Sequence, residues 1–261
     1  MTPEKEIILA KFNTLMYMDN NIASIIDNYI YQNVVDLSGS YFRKFTGRYG
    51  KFHGEYIEYF KEDFPNKIET ISNWKNGVLN GERRSFWFSG QLYFTVMYKD
   101  GLKEGDELEY HNNGKMWCIK TYKKGILEGE QKEWLDNGTP RLQLYFKGGK
   151  REGEYKEWHD SGKLKFHAYY KEGKLEGEFK RLWGNGKLSF QEYYKEGKLE
   201  GEFKEWWSDG KLWFQKYYKE GKLEGEYKEW DQDGKLIAHL QYKEGLKVKD
   251  YLNKDEGVNI S

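Results

Sequence analysis

Few side chains in this 261-residue chain are of types that do chemistry, and most of them recur on a beat. There are five histidines and one cysteine, set among 43 acidic and 43 basic residues. His111 and His159 occupy one position of a 24-residue period, and His167 and His239 occupy another. If one period is two β-strands, the first pair lies about 19 Å apart and the second about 29 Å, beyond the reach of a shared metal ion. His53 stands alone. Cys118 shares its position with Phe94, Leu142, Phe166, Phe190 and Phe214, which reads as a filler of the apolar layer and not as a nucleophile. Covalent catalysis needs a nucleophile, a base and an orienting group within hydrogen-bond reach, and no Asp, His and Ser set recurs in matching phase. The expectation is a non-enzyme with no catalytic residues, no cofactor and no metal.

Glu130, Glu154, Glu178, Glu202 and Glu226 form a file of carboxylates that could gather cations. Lys132, Lys156, Lys180, Lys204 and Lys228 follow two residues on, and Lys123, Lys147, Lys171, Lys195 and Lys219 form another file. Like charges one copy apart lie near a Debye length, about 10 Å at moderate salt, whereas opposite charges sit closer. A self-neutralised, solvated surface follows. The balanced total charge argues against a general nucleic-acid binder and gives no electrostatic pull toward anionic lipid, so membrane association is not favoured. Ten Trp, 22 Tyr and 15 Phe supply the apolar content, while mean hydropathy is −0.99. That combination suits a thin sheet held by rings. One cysteine allows no intramolecular disulfide, so an intracellular, cytoplasmic setting is expected. The opening MTPEKEIILAKF has acids beside its basic residues and no long apolar run, which predicts neither a signal peptide nor a transmembrane helix.

These side chains are positioned by a repeat marked by glycine. Three glycine files step by 24 residues, from Gly81 to Gly225, from Gly77 to Gly245 and from Gly90 to Gly234. Within one copy, Glu154 to Trp158 reads as a short strand, HDSGK as a turn, Leu164 to Tyr170 as the return strand and KEGK as the next turn. Alternation places Leu164, Phe166, Ala168 and Tyr170 on one face, with Lys165, His167 and Tyr169 on the other. Tyr155 and Trp158 break strict alternation, so either a bulge intervenes or both faces carry rings. The predicted fold is mainly β, an elongated single-layer antiparallel β-meander of stacked hairpin repeats with a small α-helical N-terminal cap. One file of Tyr145, Tyr169, Tyr193 and Tyr217 and another of Trp134, Trp158, Trp206 and Trp230, with Trp183 displaced by one, are expected to close over the backbone in place of a second layer.

The chain divides into residues 1–36, 37–251 and 252–261. Residues 3–36 lack glycine, and Ile7, Ile8, Leu9, Phe12, then Ile22, Ile25, Ile26, Tyr29 and Ile30 fit helical spacing, so two short helices are expected to cap the sheet edge or to dock a partner. Residues 37–251 hold about eight copies. The first contains an insertion, KEDFPNK, that places Asn66 where later copies have Gly. Residues 252–261 are expected to be a loose tail.

The phrase Gly-Glu-Tyr-Lys-Glu-Trp-x-x-x-Gly-Lys-Leu, then Tyr-Tyr-Lys-Glu-Gly-Lys-Leu-Glu-Gly, resembles the MORN repeat in its longer variant, over about residues 50–250. That resemblance implies a β-meander used for protein contacts or scaffolding, in some members for lipid or membrane association, and it does not imply an enzyme. The run MDNNIASIIDNYIY is similar to the end of F-box-like segments that precede repeats in some proteins of large DNA viruses, though it lacks their Leu-Pro start. The likeness implies a docking role, a ubiquitin-ligase adaptor among the readings, and a virion-associated or host-directed scaffold. Choline- and glucan-binding repeats share the Gly, Trp and Tyr-Tyr hairpins, but their period is shorter and they are poor in these Lys-Glu turns. The expected partners are proteins, with an end-to-end or edge dimer left open. Candidate contacts are departures from the consensus: the insertion with Phe64, then Arg83 and Arg84, the turn from Asn137 to Pro140, and Trp206 beside Trp207. Ile25, Ile26 and Tyr29 are the candidates in the N-terminal segment.

Overall fold

The computed structural model describes residues 32–36, 42–48, 51–60 and 67–252. The expected helices, with Ile25, Ile26 and Tyr29, lie outside these residues, as do Phe64, the rest of the insertion and residues 253–261. At the end of the first segment Gln32–Asp36 is a strand, paired antiparallel with Phe42–Arg48.

The described residues are strands and turns, with no helix among them. Two compact units divide the chain, Met1–Glu104 and Gly105–Ser261. In the first, Phe42–Arg48, Lys51–Tyr59, Ile68–Lys75, Val78–Phe86 and Leu92–Lys99 each pair antiparallel with the next. In the second, the same succession runs from the pairing of Gly105 with Tyr122, in the strand Met116–Lys123, to that of Leu236–Lys243 with Leu246–Asp250. Each unit is an open antiparallel meander. The last described strand, Leu246–Asp250, pairs on one side only.

One copy shows why this sequence folds so. Gly153–Trp158 pairs with Leu164–Lys171, placing Tyr155 opposite Ala168 and Glu157 opposite Phe166. The register then slips, and Trp158 pairs with Leu164. A bulge therefore resolves the broken alternation. At the turn that follows, Glu172 and Gly173 have φ of 51° and 82°. Two consecutive positive φ values define the two-residue turn whose twist suits adjacent strands. Glycine accepts the second position freely, but a glutamate at the first needs support. It receives it from the previous copy: Glu172 N donates to the Glu152 carboxylate at 2.8 Å, and Gly173 N to the Arg151 carbonyl at 2.8 Å. The same carboxylate contact, 20 residues back, supports Glu196, Glu220 and Glu244. The turns thus stack copy on copy.

The apolar face closes differently from expectation. Tyr169, Tyr193 and Tyr217 are exposed. In their place Phe179, Phe190, Phe203 and Phe214 stack at centroid distances of 5.6, 6.1 and 5.6 Å, nearly parallel. Tyr227 extends the column at 6.3 Å from Phe214. Phe lacks a hydroxyl that must reach water, so its ring can lie wholly within the apolar face. Alternation puts the tyrosines of the other file on the polar face, where the hydroxyls of Tyr145, Tyr193 and Tyr217 reach glutamates.

Candidate interaction face

The polar face repeats one cluster. In the first complete version Glu130 accepts hydrogen bonds from Gln143 Nε2 and the Tyr145 hydroxyl, both at 2.7 Å, and pairs with Lys132 Nζ at 2.6 Å. Two copies on, Glu178 meets Gln191, Tyr193 at 3.2 Å and Lys180 at 2.5 Å. Glu202 meets Gln215 at 2.5 Å, Tyr217 at 2.9 Å and Lys204 at 2.6 Å. Between these copies His167 Nε2 takes the glutamine's place on Glu154, at 2.8 Å, beside Lys156 at 2.7 Å. Cross-strand register dictates the set, because Glu130 faces Tyr145 and Lys132 faces Gln143. The expected neutralisation of the acidic file by the lysines two residues on is therefore direct ion pairing.

These donors set the carboxyl pKa values. Burial pushes Glu130, Glu178 and Glu202 up, but hydrogen bonds from lysine, tyrosine and glutamine outweigh it and hold them below the usual range. For Glu154 the bond from Lys156 dominates, in the same direction. On the other face Glu192 and Glu205 go the opposite way, pushed up chiefly by burial. Tyr194 donates to Glu192 at 2.7 Å, which offsets burial only in part.

The two groups pull stability in opposite directions as pH falls. Glu192 and Glu205 take up protons in the folded chain first, so stability rises. Below the ordinary glutamate value of about 4.3, the polar-face carboxylates protonate in the unfolded chain before the folded one, and stability falls. The urea midpoint is expected to peak on the acid side of neutrality. Glu192→Gln with Glu205→Gln should raise the midpoint at pH 7 and abolish the rise while leaving the acid fall intact.

The histidines mark a contact that sequence reasoning missed. His111 Nε2 meets the Trp134 carbonyl at 2.9 Å, and His159 Nε2 meets the Leu182 carbonyl at 3.1 Å. Trp183 makes the same reach, Nε1 donating to the Trp206 carbonyl at 3.2 Å. The displacement of Trp183 by one residue thus puts it in the histidine file, where it ties one copy to the next. The signal available in the sequence was His111, His159 and Trp183 sharing one repeat position, each a ring with an N–H at its tip. Among the described residues, no three His, Cys, Asp or Glu side chains gather as a metal site.

The other candidates are not brought together. Arg83 and Arg84 point to opposite faces, Arg83 over the Phe94 ring at 5.4 Å and Arg84 beside Glu82 at 3.4 Å. Trp206 and Trp207 are half-buried. Trp207 stacks on Trp213 at 4.3 Å, and Trp206 borders a shallow depression of about 400 Å³ with Lys187, Leu188, Asp209 and Gly210. The turn from Asn137 to Pro140 keeps the common geometry, with Gly138 N donating to Leu135 O at 2.8 Å.

Cys118 is 2% exposed, and burial pushes its thiol up to about 12. A buried thiol that far above neutrality is protonated and shielded. Its reaction with a disulfide reagent at pH 8 is expected to be slower than in the denatured chain by about a hundredfold or more, read by absorbance of the released thiolate.

A family model described as MORN repeat variant matches residues 79–100, 103–124, 127–147, 151–172, 175–198, 199–220 and 223–244. The matched copies carry the clusters and turns described above. A comparison with curated proteins finds no match to the chain. Among the described residues no helix is long and apolar enough to cross a membrane.

Proposed function

The chain belongs to the MORN repeat variant family, and on that premise we propose that it is a non-catalytic repeat scaffold that holds protein partners along its polar face. The observation that carries this reading is the cluster repeated in register around Glu130, Glu178 and Glu202, in which lysine, glutamine and tyrosine converge on each carboxylate. Such a network fixes side chains in place and presents them periodically, which suits recognition more than chemistry. The setting proposed is intracellular and cytoplasmic, with a virion-associated or host-directed role. Residues 1–36 are proposed to dock a further partner in the manner of an F-box-like segment.

Affinity capture with the full chain and with a chain lacking residues 1–36 tests both parts, beside flotation with phosphatidylcholine and phosphatidylserine vesicles. Partners that survive the deletion, with circular dichroism still showing a β-sheet, support the repeats as the binding surface. Partners lost only on deletion assign docking to the first segment. Flotation with vesicles in the absence of captured protein would replace the scaffold reading with a membrane adaptor.

A further inference from the structure

The polar face of the Gly105–Ser261 unit carries a row of tyrosine rings with a period. Tyr169, Tyr193 and Tyr217 are 41%, 36% and 37% exposed, and Tyr145 stands half-buried at the head of the same file. Successive members are two strands apart, about 9.6 Å at the usual spacing between strands. The rings are held. The hydroxyls of Tyr145, Tyr193 and Tyr217 donate to Glu130, Glu178 and Glu202, and Tyr169 lies edge-on to His167 at 5.0 Å. A fixed ring loses little conformational freedom when something lies against it.

The polar groups beside the rings narrow what that something is. Both amide hydrogens of Gln191 and Gln215 are engaged, on the glutamate and on the neighbouring tyrosine oxygen. Lys132, Lys156, Lys180 and Lys204 each contact one carboxylate oxygen and remain 30–37% exposed. An ammonium has three donors, so each lysine keeps N–H groups to spare along the row, beside the side-chain carbonyls of Gln191 and Gln215. A matching ligand brings flat apolar groups at an interval near 9.6 Å, together with free carbonyls. A strand repeats a face about every 6.8 Å, out of step with the rings, and an α-helix hides its carbonyls within its own hydrogen bonds. A polyproline II helix advances about 9.3 Å per three-residue turn and leaves its carbonyls outward. Proline adds a ring and has no N–H.

We propose that this face docks a proline-rich segment of a protein partner in the polyproline II conformation, one turn per copy, with prolines seated on Tyr145, Tyr169, Tyr193 and Tyr217. The mismatch of about 0.3 Å per copy accumulates to roughly 1 Å over four rings, within the play of the side chains. The inference rests on the scaffold reading and names the chemistry of the partner.

The test is fluorescence anisotropy of a labelled 12-residue polyproline peptide titrated with the full chain, with a glycine-serine peptide of equal length as control. Saturable binding of polyproline alone is expected. Tyr193→Ala with Tyr217→Ala should weaken it at least tenfold, whereas Tyr193→Phe with Tyr217→Phe should stay within about threefold, since the ring is kept. Thermal melts establish that both variants are folded. No saturation by 1 mM protein, equal binding of the glycine-serine peptide, or unchanged affinity in the alanine variant would each overturn the proposal. So would binding of cellohexaose or vesicles at the row in place of the peptide. Partners captured by the repeats but indifferent to both tyrosine substitutions would sink this proposal and leave the scaffold reading standing.

Discussion

Replacing Phe203 with alanine is expected to cost the Gly105–Ser261 unit about 3 kcal/mol, the lower end of the range for removing an aromatic ring from a core, because Phe203 is half-buried. Phe203 is the centre of the stacked column, 6.1 Å from Phe190 and 5.6 Å from Phe214, with Tyr218 edge-on at 6.3 Å. Lys216 lies over its face at 4.4 Å. Removing the ring interrupts the column and strips that ammonium of a favourable partner in a part-buried site. Among the described residues no second layer stands over the column to collapse into the space, so relaxation has to come from the sheet itself. A fall in melting temperature of roughly 6–12 °C should result for a unit of this size. Because each copy is stabilised by its neighbours, hydrogen exchange should quicken most in the strands around Phe190 and Phe214. Phe203→Tyr is the control and should cost under about 1 kcal/mol, since Tyr155 and Tyr227 stand at the same repeat position in other copies. Equal losses from both substitutions would show that the ring column does not hold the sheet.

The period, the hairpins, the turn glycines and the ion-paired Glu and Lys files were legible because they depend on spacing along the chain. What closes the sheet was not. Tyr and Trp were the most conspicuous rings, yet alternation sets Tyr193 on the face away from Phe190, where its hydroxyl is held by Glu178. That contact exists only once two strands are in register. Phe190 and Phe214, read only as filler at the Cys118 position, alternate in the column with Phe179 and Phe203 from a second position. Trp206 and Trp207 stand out in the sequence as a departure from the consensus, but both are half-buried and Trp207 stacks on Trp213, a contact made only when the return strand folds back. Glu172 in a left-handed turn contradicts its own preference, and the carboxylate that holds it comes from Glu152, 20 residues earlier. Contacts at that separation belong to the stacking of copies, which a single copy does not display.

The same stacking makes one glycine far less replaceable than its counterparts. Gly81→Ala is expected to cost the Met1–Glu104 unit about 2–3 kcal/mol, against about 1 kcal/mol for Gly177→Ala in the other unit. Both residues have positive φ, 112° for Gly81 and 77° for Gly177. A Cβ at Gly177 meets nothing within 4 Å and carries only the penalty of the left-handed backbone. At Gly81 the φ lies further from the left-handed well, and the Cβ would stand 3.0 Å from Asn73 Cβ. That neighbour has no room to rotate away, because the clashing atom is the root of the side chain and not its tip. Asn73 is pinned besides, its Nδ2 donating to the Glu82 carbonyl at 2.9 Å. Relief requires the strands Ile68–Lys75 and Val78–Phe86 to move apart, which strains the pairing of Ser72 with Arg83. Urea unfolding of the two single variants gives the comparison. Asn73→Gly placed on Gly81→Ala removes the opposing Cβ and should recover about half of the loss, leaving the backbone part. If Gly81→Ala costs no more than Gly177→Ala, the close approach of Asn73 carries no energy and φ alone sets the requirement for glycine.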